Sequence, residues 1–369
     1  MLPHTLFDPP EYAKGPSNEA TSAFADACVS GPWSASIAQI SPSLHVRIYD
    51  GLIRSRLHDQ MLARWARQGT LSKAWLATGE EAVTIGPVAA MAQGKDVLGP
   101  MIRNAGACVM WDLGLEAIFQ AYLGRAGAPT GGRDLHFGDL DKGLMTPISH
   151  VGSLVPVMAG MALSFKARRE PKAALTWVGD GAAHTGEFHE AMAFAASQGV
   201  PLIVILQDNG VALGTPRAAH HRGSFAALGA LYGIPTAHFD GNHVLEAFGA
   251  TRWARERCLK GEGPVLLTTR TFRMGGHATH DEAEGRRLLP PEEFTYWGAR
   301  DPIALYAQWL SRGDVTLPGA KSFREKQALL EQLEDAAQRD INAAADAALK
   351  SPLPRGEDAL GGVYAGSAP

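Results

Sequence analysis

Between residues 44 and 69 apolar side chains return at helical intervals (Val46, Tyr49, Leu52, Ile53, Leu57, Met61, Leu62, Trp65). This spacing predicts an amphipathic helix that stops at Gly69. Shorter helices are expected over residues 80–93 and 113–123, and one rich in small residues and Met over 153–168. The pattern then changes. Continuous apolar runs at 174–178, 201–206, 235–239 and 265–269 alternate with helical stretches at 186–198 and 244–260. Strands apolar on both faces, alternating with helices, predict an α/β fold: a parallel sheet covered by helices on both sides. Residues 1–44 have little periodicity and much Pro, Ser, Gly and Ala, so they read as an extended N-terminal arm before a single α/β domain over 45–369. Helices at 303–311 and 322–350 close the pattern. The second is so charged at its start that it reads as a surface helix. Two glycine-containing loops, 124–146 and 273–291, are long enough to be read as functional.

Composition narrows the classes. With 369 residues, 46% hydrophobic and 20% charged, the chain can bury a large core. A net charge of -4 offers no basic footprint for nucleic acid. The three cysteines, Cys28, Cys108 and Cys258, form no CxxC pair, so neither a zinc site nor a disulfide framework is expected, and a reducing cytoplasm fits. The amino terminus lacks the basic and apolar regions of a signal peptide. The longest nearly apolar run, 154–163, is too short to span a bilayer, so no membrane association is expected.

The chemistry concentrates in VGDGAAHTGEFHEAMAFAASQGVPLIVILQDN, residues 178–209. One strand delivers Gly179-Asp180-Gly181 to the carboxyl edge of the sheet, and the next delivers Gln207-Asp208-Asn209-Gly210. Ligands of open α/β sheets bind beyond that edge. If the two strands are neighbours, a right-handed crossover brings Asp180 and Asn209 together. Gly179 and Gly181 let backbone approach a bulky anion, and a following helix amino terminus offers N–H groups to phosphate oxygens. One carboxylate and one amide oxygen suit a hard divalent ion that also binds a diphosphate, as Mg²⁺ does. Neither GxGxxG nor GxxxxGK[ST] occurs here, which argues against a nicotinamide-binding Rossmann enzyme and a P-loop.

The GDG-to-Asn arrangement resembles the thiamine-diphosphate-binding motif. The longer stretch through "LQDNGVALGTP" resembles the α-subunit of the decarboxylating component of 2-oxo acid dehydrogenases, a family that includes pyruvate, branched-chain 2-oxo acid and acetoin members. "TGEEA" (78–82), "GRDLHFG" (132–138), "RMGGHATHDE" (273–282), "YWGARDPIALYAQWL" (296–310) and "VYAG" (363–366) resemble further segments of that family in the same order. The resemblance implies a thiamine-diphosphate-binding fold, with Mg²⁺ held by Asp180, Asn209 and the Val211 carbonyl. It places Gly179, Gly181 and Ala182 against the diphosphate and Arg103 on phosphate. Ser149 and Val151 hold and wedge the aminopyrimidine. His277 acts at the substrate, with Arg273 near the diphosphate. Some positions depart from the family: Ile102 stands in place of a tyrosine, and Gln207 in place of a phosphate-binding arginine of branched-chain members. Ala278 replaces the serine that kinases modify, so that phosphorylation is excluded. His280 and Asp281 read as ordering the loop, while His136, His150 and His184 are weaker candidates.

In this family the glutamate that activates the aminopyrimidine comes from a β-subunit, and no second α/β domain of comparable size is visible. The resemblance therefore implies a chain inactive alone, an α₂β₂ heterotetramer, a 2-oxo acid substrate and a lipoyl-bearing acyltransferase that takes the acyl group. A branched-chain 2-oxo acid is favoured over pyruvate. An acetoin dehydrogenase α-subunit and a non-catalytic scaffold paralogue are the alternatives.

Overall fold

The computed structural model describes residues 9–361, so the "VYAG" segment lies outside the described residues. The strands are β1 (Val97–Gly99), β2 (Ala174–Gly179), β3 (Leu202–Asp208), β4 (Val211–Ala212), β5 (Thr215–Pro216), β6 (Thr236–Asp240) and β7 (Val265–Arg270). Five form one parallel sheet in the order β1-β2-β3-β7-β6, while β4 and β5 make a small antiparallel hairpin. Alternation along each strand divides the core. Ala174, Val178, Leu202, Val204, Leu206 and Leu266 face the helices Leu154–Arg168 and Gly186–Gln198. Leu175, Trp177, Ile203, Ile205, Val265 and Leu267 face the other layer, which includes Pro42–Arg67, Glu81–Ala90 and Val244–Leu259. Every one of these strand residues is at most 1% exposed, so each Val, Leu and Ile side chain contributes about 1.5–3 kcal/mol of burial.

The expected α/β class and the β2–helix–β3 unit are observed, and the helix after Gly-Asp-Gly spans Gly186–Gln198 as the periodicity indicates. Three expectations need correction. Residues 1–44 are not an extended arm where described. Ser17 caps a helix over Asn18–Ser30 by accepting from the Ala20 amide, and Ala20, Phe24 and Cys28 join the main core. The charged helix, Phe323–Lys350, is not confined to the surface. Leu330, Ala337, Ile341, Ala345 and Ala348 are buried along one face, and much of that apolar stripe is alanine. The 273–291 segment is not wholly loop, because Glu282–Leu288 is helical and Pro291–Gly298 follows directly. The three cysteines are free and buried.

A short helical turn at Pro10–Lys14 is tied to the segment that carries the candidate loop histidine. Tyr12 is fully buried beneath the Arg56 guanidinium, 4.5 Å from ring centre to Cζ. Glu11 accepts from Arg286 at 2.7 and 3.2 Å. Tyr12 also shares an apolar cluster with Phe272, Met274, Phe294 and Trp297.

Two core histidines predict an acid-sensitive fold. His243 stacks on Phe24 at 3.7 Å, approaches the Phe24 carbonyl through Nε2 at 3.0 Å and accepts from the Glu246 amide. Burial pushes His243 and His45 down to about 4. An unfolded histidine titrates near ~6.5. The folded value is the lower one, so the unfolded chain takes up protons first as pH falls. This stabilisation is intact above about pH 6.5 and is lost as pH drops toward 4, reaching ~3 kcal/mol for His243 when fully titrated. Urea midpoints measured from pH 7 to 4.5 are expected to fall steadily across that window. A flat profile contradicts the assignment.

Candidate active site

Adjacent pairing of β2 and β3 sets Gly179 opposite Gln207, so the residues just beyond both tips share one edge. Asp180 is 3% exposed. Its Oδ1 accepts from the Gly181 amide at 2.9 Å, and among the described residues Oδ2 has no hydrogen-bond donor, with His220 Nε2 3.4 Å away. Burial first, then repulsion from Asp208, raise its carboxyl above the ordinary value. A buried oxygen in this state is unfavourable unless a cation or donor satisfies it. Asn209 is 1% exposed. Its Nδ2 donates to Glu80 at 3.0 Å, while Oδ1 accepts only the Val211 amide at 3.2 Å and retains acceptor capacity.

Glu80 organises this corner and was not assigned from the sequence. It is fully buried. Its Oε1 accepts from Gln207 at 2.5 Å as well as from Asn209, and its Oε2 lies 3.4 Å from Arg103 Nε, an ion pair rather than a directed hydrogen bond. Asn104 completes the cluster by donating to Gln207 at 3.2 Å and to Thr84 at 2.7 Å. The neighbouring Glu81 holds the turn from behind: it binds Arg56, which reaches Asp301 at 2.9 Å, and it accepts from the Gly79 amide at 3.0 Å. The available signal was two consecutive carboxylates opening an apolar helix. Gln207, expected as a lost phosphate contact, is instead a structural amide of this cluster.

A cavity of about 300 Å³ opens beside the cluster, and its lining includes Trp75, Ile102, Arg103, Ser149, Val151 and His277. Ala182 also borders it. Asp180, Asn209, Val211 and Arg273 are not part of that lining, so the expected residues divide between a metal-type corner and a cavity. Arg273 joins the two. It is 2% exposed, and it donates to the carbonyls of Gly275 and Leu213 at 3.2 Å each, with Nη1 3.4 Å from His277 Nδ1. Burial and the Arg103 charge push its guanidinium down to about 10. Burial, then Arg103 and Arg273, push His277 down to about 4 and keep its ring neutral near pH 7. Ala278 is buried, and its amide donates to Asp281 at 2.8 Å, which orders the loop.

The glycines play different parts. A Cβ on Gly179 would meet only open space, whereas one on Gly181 would lie 2.5 Å from Ala212 Cβ. Gly181 is therefore required by the hairpin packed on it. The helix amino terminus is also set back from its expected place. A tight turn, Ala182–His184, intervenes, and Thr185 caps the helix by accepting from the Phe188 amide. Val151 is exposed and Ser149 Oγ pairs with His136, so the aminopyrimidine contacts implied for them would involve backbone or an unfilled face.

Among the described residues no three His, Cys, Asp or Glu side chains form a self-sufficient metal cluster. Asp180 Oδ2 and Asn209 Oδ1 are oxygen acceptors with spare capacity just beyond two neighbouring strands. That set suits a hard cation sharing its ligands with a bound diphosphate, next to the cations Arg103 and Arg273.

The family model described as "Dehydrogenase E1 component" matches residues 50–354. The chain is 30% identical over 276 residues to the Arabidopsis thaliana mitochondrial 2-oxoisovalerate dehydrogenase subunit alpha 2, covering 74% of this chain and 58% of the relative. It is 30% identical over 269 residues to the Mus musculus subunit alpha, covering 72% and 60%. With the Bacillus subtilis subunit alpha it is 29% identical over 326 residues, covering 87% and 95%. The match thus spans less than two thirds of the plant and mouse relatives' length. A parallel sheet whose β2 and β3 tips carry Asp180 and Asn209, together with a family match over most of its length, places this chain in the dehydrogenase E1 component family.

Proposed function

We propose that the chain is the α-subunit of a 2-oxo acid dehydrogenase that decarboxylates a branched-chain 2-oxo acid and passes the acyl group to a lipoyl group. The observation that carries this reading is the buried, donor-free Asp180 oxygen set beside Arg103, Arg273 and a neutral His277. The names of the relatives support the branched-chain substrate. Thiamine diphosphate, when bound, supplies the thiazolium carbanion and electron sink for loss of CO₂.

The chain's residues hold and orient. Asp180, Asn209 and the Val211 carbonyl would bind Mg²⁺, with Gly179, Gly181 and Ala182 beside the diphosphate. Arg103 and Arg273 balance its charge. Ser149 and Val151 line the wall for the aminopyrimidine. His277, held neutral, can donate a hydrogen bond to the substrate carboxylate without carrying charge into the cavity. Trp75 and Ile102 keep part of the wall apolar and exclude water.

The glutamate that activates the aminopyrimidine would come from a β-subunit in an α₂β₂ assembly, and a lipoyl-bearing acyltransferase would accept the product. Three free, buried cysteines agree with a reducing compartment, and we place the enzyme in the cytoplasm. Among the described residues no helix is long and apolar enough to cross a membrane.

The test is reconstitution. The α chain with its β partner, thiamine diphosphate and Mg²⁺ is assayed against pyruvate and branched-chain 2-oxo acids, with calorimetry of cofactor binding alongside. Mg²⁺-dependent binding and activity only in the two-chain assembly are expected. Robust decarboxylation by the α chain alone, or absence of cofactor binding by the assembly, would refute the reading.

A further inference from the structure

We propose that His220 is a nitrogen ligand of the divalent ion at Asp180, so that this corner favours a transition ion such as Co²⁺ over Mg²⁺. The proposal rests on the function given above, whose oxygen donors alone would suit a hard cation. His220 Nε2 lies 3.4 Å from Asp180 Oδ2. Both atoms are buried, and among the described residues neither has a hydrogen-bond partner. They are close without a directed hydrogen bond between them. Two ligands of one metal ion sit at this spacing: bonds of ~2.0–2.2 Å to nitrogen and oxygen, at tetrahedral or octahedral angles, hold the two atoms about 3–3.5 Å apart.

The ring is already set for this role. His220 Nδ1 lies 3.2 Å from the Pro216 carbonyl. A carbonyl only accepts, so Nδ1 carries the hydrogen and Nε2 is the nitrogen left to ligate. Metal-bound histidines are oriented in the same manner, with the other ring N–H given to a carbonyl or carboxylate. His184 sets its ring edge-on against His220 at 5.7 Å, a second restraint on its orientation.

The chain brings His220 to Asp180 by a short route. β4 and β5 pair soon after Asn209, Val211 with Pro216 and Ala212 with Thr215. This hairpin lies on the Gly-Asp-Gly turn, where a Cβ on Gly181 would come within 2.5 Å of Ala212 Cβ. Its exit is fastened by the Arg217 amide, which donates to the Gly210 carbonyl at 2.8 Å, and by Arg217 Nε, 3.2 Å from Asp208 Oδ2. The helical turn Arg217–His220 then ends with the imidazole facing Asp180.

The chemical consequence is selectivity. Carboxylate, amide and carbonyl oxygens suit Mg²⁺, whereas an imidazole suits the later divalent ions, whose affinities rise from Mn²⁺ through Co²⁺. The cofactor's diphosphate offers oxygens to either kind of ion, so discrimination falls to His220. An imidazolium–carboxylate ion pair is the competing arrangement, and it puts no nitrogen on a bound ion.

The test uses the reconstituted two-chain complex. Thiamine diphosphate binding is titrated by calorimetry with Mg²⁺ or Co²⁺ for the wild type, H220Q and H220A. Pulsed EPR of the Mn²⁺-loaded complex, with and without ¹⁵N-labelled histidine, reads directly whether an imidazole nitrogen is bound to the ion. A histidine-nitrogen coupling is expected in the wild type and is lost in H220Q. The preference for Co²⁺ over Mg²⁺ is expected to fall by at least ~10-fold in both variants, the lower limit for disturbing a group that merely orients a ligand. H220Q offers an amide oxygen in place of the nitrogen and keeps Mg²⁺-supported binding. A wild type without the nitrogen coupling, a coupling that persists in H220Q, or an unchanged ion preference in both variants overturns the proposal while the functional reading stands. A wild-type complex that binds no thiamine diphosphate with any of the three ions overturns that reading and the proposal with it.

Discussion

Changing Asp180 to asparagine is expected to leave the cofactor-free chain as resistant to urea as the wild type, or more so, while weakening Mg²⁺-dependent cofactor binding by at least ~100-fold. Disrupting groups that merely orient metal ligands already costs 10–100-fold. The two effects have one cause. Asp180 is 3% exposed, has an oxygen without a donor and sits near the charge of Asp208. Its charge opposes folding in the absence of a cation, and the D180N amide removes that charge at nearly constant volume. The same removal takes away the anionic member of that oxygen set. Urea titration and calorimetry on one preparation separate the outcomes. A D180N variant that is both markedly less stable and equally able to bind cofactor would show that the carboxylate is a structural anchor.

The second large effect is expected at Glu80. E80A leaves the Gln207 and Asn209 amides without their acceptor and the Arg103 guanidinium without its nearest counter-charge, all inside the protein. Breaking a buried pair in this way costs about 3–5 kcal/mol. E80Q is the informative companion. Its amide oxygen still accepts from both neighbours, so most of the stability should remain, but the neutral group no longer balances Arg103. Asn209 keeps its Oδ1 toward the metal corner only while Nδ2 is held, so metal affinity is expected to follow the strength of that bond across E80Q and E80A. A loss below ~1 kcal/mol in E80A would mean that water replaces the carboxylate easily.

What could be read from the chain before folding follows the range of the interactions. Asp180 and Asn209 belong to one strand–helix–strand unit, and its apolar runs and glycine turn are local signals. Their placement just beyond two neighbouring strands was therefore legible, as was the parallel sheet. Glu80 reaches the site from a distant helix start, and only the sheet brings it under Asn209. β1 has three residues and no periodicity to recognise. The helix Asn18–Ser30 and the inner face of Phe323–Lys350 owe much of their burial to alanine, whose weak apolar signal is swamped by neighbouring charges. His136 stood in a quoted motif, but its partner Ser149 comes from a separate turn, so the pair became visible only in three dimensions.

The tie between Glu11 and Arg286 carries a practical consequence. The segment holding His277 is braced by a turn remote from it in sequence, through this ion pair and through Tyr12 packed with Phe272 and Trp297. Proteolytic trimming or a fusion placed close to Pro10–Lys14 would be felt at the histidine although no cofactor ligand is touched. A preparation clipped ahead of residue 17 would hold its sheet and its metal corner and still behave as a damaged enzyme, so intact mass at the amino terminus is the first quality check on any inactive sample.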